Sequence, residues 1–311
     1  MTSPSFVVGA YASLPEGWEL QREYYRLLGE QSWIHGAELP YPGNLADYGE
    51  LTWLSMNLPK RWHRNTVTLI PGTMQRVWKD ASFGLASPDP EGRAAAVELV
   101  RDAWKAIMRL ADARGVNDVT FVEIHSAPTR IATAASMCRS IEELMTWDWG
   151  GSRLVVEHCD RYVEGRRPEK GFLSIEDEIV ICRRTGVGLT VNWGRSCVEG
   201  RDAATPLAHV RAACENGVLR GLMFSGAGPD ATQYGYEWID GHLPMTDDES
   251  GSLMDDEAVY ACAETALNAE GLEYLGAKVC VPKELDLEGR LEYLARIHRA
   301  TRVCDTGEAL K

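Results

Sequence analysis

"FVVGAYASLPEG", residues 6–17, carries the choice between two α/β folds. Its first part, 6–12, is an aliphatic run that reads as a strand covered on both faces by other structure. A doubly wound nucleotide-binding sheet places G-x-G-x-x-G in the turn after such a strand, where glycines admit a pyrophosphate. Here Tyr11 and Leu14 stand where the second and third glycines belong, so that fingerprint is missing. Further strand candidates follow at 34–41, 66–72, 119–127, 153–160, 187–193, 219–227 and 274–281. Helical patterns lie between them. Eight strands alternating with helices over 311 residues predict an α/β protein, a single (β/α)8 TIM barrel spanning 1–311 as one domain.

The helical patterns have the spacing and caps that such elements need. Val97, Val100, Trp104, Ile107 and Ala111 recur every three or four residues and form one apolar stripe. Ile175, Ile179 and Cys182 share a face, with Ser174 placed to cap, Asp177 to answer it, and Gly186 to end the turn. Leu287, Leu291, Leu294 and Ile297 mark the last helix. Two connections exceed ordinary length, 73–92 after strand three and 228–252 after strand seven, and both are candidate lids.

The formal net charge of −14 and the lack of a basic stripe argue against a nucleic-acid partner. There is no long apolar run, so no membrane span is expected, and the first residues have no signal-peptide pattern. Eight scattered cysteines, at 138, 159, 182, 197, 214, 262, 280 and 304, make no CxxC pair. They point to reduced thiols in a cytoplasmic protein rather than a zinc ribbon.

Barrel enzymes draw their chemistry from the carboxyl ends of the strands. Those ends hold Tyr11, Glu38, Glu123, His125, Glu157, His158, Asp160, Asn192, Arg195, Ser225 and Lys278, while Asp240 and His242 come from the seventh loop. Alternation along a strand pairs Val155 with Glu157 on one face and Val156 with His158 on the other. Glu157 is assigned inward, because helices cover the outside and a bare carboxylate there is costly. Glu123 shares a face with His125, Thr190 with Asn192, and Gly276 with Lys278. Lys278 lies within an otherwise apolar strand, where an ammonium needs a partner or a task.

The runs "GAELP", "EIHSAP" and "VVEHCD" resemble the xylose isomerase-like sugar isomerase/epimerase superfamily, which also holds the AP endonuclease-type barrels. With "LIPGTM", "IHSAPTR", "NWGRS", "GLMFSG" and "YLGAKV", nearly the whole chain resembles one bacterial family in it, catalogued as a domain of unknown function. The resemblance implies a divalent metal held by a carboxylate on strand five, D-x-x-H on strand six, a His on strand seven and a Glu on strand eight. Glu157 matches the first of these. Asn192 and Arg195 stand at the D-x-x-H spacing, Phe224 and Ser225 lie on strand seven, and Lys278 replaces the glutamate. Asp240 and His242 resemble a D-x-H of the DNA-repair branch. The metal ligand set is thus incomplete, and no cofactor is expected, although a divalent metal stays open. Lys278 reads as a replacement for the metal's charge.

Glu157 and Lys278 are either a catalytic pair, base and enolate stabiliser, or an inert ion pair. Lys278 as a Schiff-base amine is an alternative. His125 and His242 are candidate acid/base groups or structural hydrogen-bonders. Tyr11, Glu38, Glu123, Asp160, Asn192, Arg195, Ser225 and Asp240 are candidate substrate-binding residues. Arg195 and Arg201, with the loop "RYVEGRRPEKG", suit an anionic group on the substrate, or else the loop is a solvated mixed-charge segment. Tyr234, Tyr236 and Trp238 suit stacking on a sugar ring or lid packing. The expected function is isomerisation or epimerisation of a sugar or acidic sugar by proton transfer beside a carbonyl, without a metal. A lyase or hydrolase of an oxidised (keto) glycoside and a non-catalytic sugar-binding barrel are the alternatives. A small carbohydrate is the expected partner, and a homo-oligomer stays open.

Overall fold

The chain's computed structural model describes residues 3–302. Strands β1 (Ser5–Val8), β2 (Gly36–Pro40), β3 (Asn65–Thr68), β4 (Val119–Ile124), β5 (Arg153–Glu157), β6 (Gly188–Asn192), β7 (Leu219–Phe224) and β8 (Tyr274–Ala277) form a closed barrel. Each pairs in parallel with the next, and β8 closes on β1. Helix α1 (Trp18–Glu30) follows β1, α2 (Gly43–Ala46) and α3 (Tyr48–Asn57) follow β2, and α4 (Ile70–Val77) and α5 (Pro90–Arg114) follow β3. Then come α6 (Ala134–Leu144) and α7 (Ile175–Thr185), each after one strand, and α8 (Trp193–Gly200) and α9 (Thr205–Glu215) after β6. Helices α10 (Asp256–Leu267) and α11 (Leu287–Ala300) complete the ring. This is the TIM barrel expected from the sequence.

The strands begin within two residues of the expected positions but end one to four residues early. Hydrophobicity runs on past the point where a strand has neighbours on both sides. Residues 70–72, expected in strand three, open α4, where Pro71 costs nothing because a first-turn N–H has no helical partner. Asn192 ends β6 and caps α8, its side-chain oxygen accepting from Arg195 N. Lys278 lies one residue beyond β8, although its N–H still donates to Phe224 O at 2.9 Å.

The caps read from sequence are in place. Ser174 Oγ accepts from Asp177 N, and Gly186 closes α7 with φ of 81°. On α5, Val97, Val100 and Ile107 are buried as expected, but Ala103, Ala106 and Leu110 face the core more fully than Trp104 and Ala111. Small alanines let the helix lie close to the barrel, while Trp104 turns aside to donate its indole N–H to Asp148 O.

Val7, Phe121, Val155, Met223 and Tyr274 form an apolar plug inside the barrel. Above it the small inward residues leave room for polar side chains. A Cβ at Gly276 would lie 2.8 Å from the backbone oxygen of Val7, which cannot move aside as a side chain can, so glycine is the residue that fits beneath Lys278. Of the expected lid 73–92, residues 73–77 belong to α4 and 90–92 to α5. The other lid, 228–252, lacks helix and long strand, and is clasped where Gly226 and Leu243 exchange backbone hydrogen bonds of 2.8 and 3.0 Å. Cys304 lies outside the described residues, and the other seven cysteines are free thiols.

Candidate functional site

Lys278 occupies the centre of the barrel mouth. Its Nζ donates to Glu38 Oε1 and Oε2 at 2.8 and 3.0 Å and to Glu157 Oε1 at 3.1 Å. Lys278 and Glu157 are 0% exposed and Glu38 1%, so these charges are sealed from water. The inward assignment of Glu157 is therefore met, Lys278 points inward with it, and His158 points outward to Glu178 on α7, at 2.7 Å.

Glu157 is ringed by donors. Asn192 Nδ2 reaches Oε1 at 3.1 Å, and Thr68 Oγ1 and His125 Nε2 reach Oε2 at 3.3 and 2.9 Å. Arg195 Nη1 lies 2.6 Å from Oε2. Burial alone would raise this carboxyl, but the Arg195 guanidinium and the Lys278 ammonium hold it well below the usual carboxylate range. The same balance, burial against the Glu157 and Glu38 carboxylates, raises Lys278 well above an ordinary lysine. Lys278 is thus held as an ammonium.

Burial, with the Glu157 and Glu38 charges, pushes Glu123 well up and keeps it a neutral acid. Tyr274 Oη donates to its Oε1 at 2.8 Å and meets Thr190 Oγ1 at 2.5 Å. Burial lowers His125 to about 4. Its Nε2–H donates to Glu157, which leaves Nδ1 as the lone-pair nitrogen.

Over this charged floor lies a cleft of about 580 Å³ whose base is made by Tyr11, Arg195, Asp240 and His242. Tyr11 Oη donates to Glu38 Oε2 at 2.8 Å, and burial with the Glu38 charge keeps the phenol protonated. Asp240 Oδ2 accepts from Arg195 Nε at 3.0 Å and from Lys170 Nζ at 2.8 Å. Burial of Asp240 is outweighed by Lys170 and Arg195, which hold its carboxyl well below the usual range. His242 Nδ1 hydrogen-bonds with Ser225 Oγ at 2.8 Å, and burial lowers the imidazole to about 4. The residue sits at φ of 53°, a strained backbone for a non-glycine, held by Cys280 N donating to His242 O at 2.7 Å. Ile70, Met74, Val77 and Trp78 make the apolar wall, and Trp78 is 76% exposed at the rim. Arg167, Glu169, Lys170 and Tyr236 face it.

The structure gathers Tyr11, Glu38, His125, Glu157, Asn192, Arg195, Asp240 and Lys278 into one network of hydrogen bonds and ion pairs, with a Glu123 oxygen within 4.8 Å of Glu38 and Glu157 and the Ser225–His242 pair 3.7 Å from Asp240. Asp160 does not reach the cleft. Its carboxylate is taken up by the backbone N–H groups of Glu169, Lys170 and Gly171, which fold the following loop back on itself. Arg201 stands over the Trp238 ring at 4.9 Å, and Tyr234 lines a separate cavity with Leu14 and Cys280. Sequence reading missed Lys170, Thr68 and Tyr274. Lys170 was hidden in the mixed-charge loop, and only the contact with Asp240, 70 residues away, sets it apart.

The divalent metal implied by the resemblance can be tested against these residues. Glu38, Glu123 and Glu157 offer carboxylate oxygens within 4.8 Å of one another. The Lys278 ammonium is already bonded to two of them, Arg195 adds a second cation, and Glu123 is kept neutral. A divalent ion would face two positive groups at contact distance with few anionic ligands, so the residues present do not fit one.

Among solved structures, a putative xylose isomerase from Rhodospirillum rubrum shares 13% identity at a TM-score of 0.63, covering 97% of this chain and 99% of its own. A D-tagatose 3-epimerase-like protein shares 16% at 0.59, covering 96% and 98%. Both are alike in fold. An uncharacterized protein of Salmonella typhimurium strain LT2 is 34% identical over 299 residues, covering 93% of this chain and 94% of its own. Residues 7–293 match the family model described as "Domain of unknown function (DUF4862)", and the chain belongs to that family.

Proposed function

We propose that this barrel is an enzyme that isomerises or epimerises a sugar or acidic sugar derivative by moving a proton on the carbon beside a carbonyl. The observation that carries the reading is one cleft presenting a neutral imidazole, a protonated phenol and a guanidinium over a dry, charged floor. His242 takes the proton, since an imidazole lowered to about 4 is unprotonated at neutral pH. Arg195 stabilises the charge that grows on the carbonyl oxygen, while the Tyr11 phenol, whose proton goes to Glu38, offers its oxygen as an acceptor for a sugar hydroxyl. The fold likeness to a sugar epimerase-like protein supports a substrate of this size.

Glu157 serves this reaction as an anchor rather than as the base expected from sequence. Unlike His242, Glu157 is fully buried, lies outside the cleft lining and has donors on both oxygens, so it offers a substrate no lone pair. Lys278 acts by its charge, because a Schiff base needs a neutral amine. It supplies positive charge in place of the divalent metal that the resemblance implies, so the reaction runs without a metal in this cleft. Arg167 lines the cleft with its guanidinium 5.6 Å from the Tyr236 ring, which suits an anionic end on the sugar. Free thiols at the described cysteines suit the cytoplasm.

The test is incubation of EDTA-treated protein in D2O with a panel of neutral and acidic aldoses and ketoses. Deuterium should enter one carbon beside the carbonyl, and His242→Gln should slow this by about 100-fold or more. A sugar that binds without exchange in any panel member would sink the reading in favour of a binding protein. Release of an aglycone from an oxidised glycoside would redirect it to a lyase.

A further inference from the structure

The outer face of β5 carries a second constellation, on the flank of the barrel and away from the cleft. His158 leaves the strand toward the helices, Glu199 comes from α8 and His209 from α9. One ligand atom from each lies within 4.8 Å of the others, and all three residues are buried. His158 Nε2 and His209 Nε2 converge on the same carboxylate, 3.3 Å from Glu199 Oε2 and 3.5 Å from Oε1. Tetrahedral zinc with bonds of about 2.0–2.1 Å spaces its ligands by about 3.4 Å.

The other nitrogen of each ring is already occupied. His158 Nδ1 meets Glu178 Oε2 at 2.7 Å, and His209 Nδ1 meets Ser196 Oγ at 3.0 Å. A carboxylate or hydroxyl behind Nδ1 orients a ring and leaves Nε2 for a metal. His158 Nε2 is fully buried yet has no hydrogen bond of acceptable geometry among the described residues. His209 and Glu199 each keep about 8% exposure, which gives an ion a path in from solvent.

We propose that His158, Glu199 and His209 form a binding site for one zinc-like divalent cation, with water as its fourth ligand. The proton is its competitor: burial lowers His158, but the Glu178 and Glu199 carboxylates outweigh it and raise the metal-free imidazole to about 10. Arg161 is compatible with the ion. Its backbone N–H donates to Glu199 Oε2 at 2.7 Å, and its half-exposed guanidinium, 3.3 Å from Oε1, can turn to water. Glu199 is thereby tied to the first residue of the loop that carries Lys170 into the cleft. The ion is structural, so the site stands or falls separately from the metal-free chemistry proposed above.

The probe is Zn2+ alone, added to EDTA-stripped full-length protein. One equivalent should survive gel filtration and raise the melting temperature. In zinc-soaked crystals of the unaltered protein, an anomalous peak should lie within bonding distance of His158 Nε2 and His209 Nε2. His209→Gln and Glu199→Gln should each reduce the affinity at least tenfold. Absence of that peak, or a peak only among Glu38, Glu123 and Glu157, overturns the proposal even where a variant fails to fold.

Discussion

At Lys278 the conflict between a charge and an apolar strand is resolved by two carboxylates, Glu38 and Glu157. Removing one member of such a buried group leaves the others unpaired, which costs more than the pair itself contributes. Lys278→Met should therefore lower stability by about 3–5 kcal/mol, read by urea unfolding monitored by circular dichroism. A loss within experimental error of zero would show that Glu38 and Glu157 shed their charge by taking up protons. The lysine itself was legible in sequence because it broke an apolar run. Its principal partner was not, since Glu38 lies 240 residues away and no local pattern links them.

Between elements, the close approach of β1 to β8 is what lets the lysine stem descend into the barrel. A Cβ at Gly9 would lie 2.4 Å from Lys278 Cβ, although the residue's own φ of −78° suits any amino acid. Gly9→Ala should thus act by crowding alone and cost about 1–3 kcal/mol. Combined with Lys278→Gly, the two losses should be less than additive, because removing the lysine Cβ relieves the crowding. Strict additivity in a double-mutant cycle would refute the contact. The glycine that argued against a dinucleotide turn by its isolation thus has a packing role. The loop after β5 was harder to read. Its alternating charges look solvated in sequence, yet three backbone N–H groups on Asp160 curl it so that Lys170 turns inward.

Over the whole molecule, buried titratable groups make stability depend on pH. His125 and His242 are lowered to about 4, against about 6.5 in an unfolded chain. Between those values the unfolded chain binds more protons, so their contribution is complete above pH about 6.5 and is lost as pH falls toward 4. Glu123, raised by burial and neighbouring carboxylates, runs the other way, weakening the fold as pH rises above about 4.3. Single variants separate these effects. His125→Gln should flatten the wild-type slope of unfolding free energy between pH 6.5 and 4 by up to about 1.4 kcal/mol per pH unit. An unchanged slope would mean the folded imidazole protonates as freely as the unfolded one. The sequence by itself determined the barrel, its eight strand starts to within two residues and which residues share a face of a strand, since consecutive side chains on a strand point to opposite faces whatever else surrounds them. Only the tertiary structure decided that Glu157 and Lys278 lie beneath the cleft, that Lys170 pairs with Asp240, and that His158 meets Glu199 and His209. Burial and protonation depend on groups brought together from distant parts of the chain, and a one-dimensional pattern holds no record of those distances.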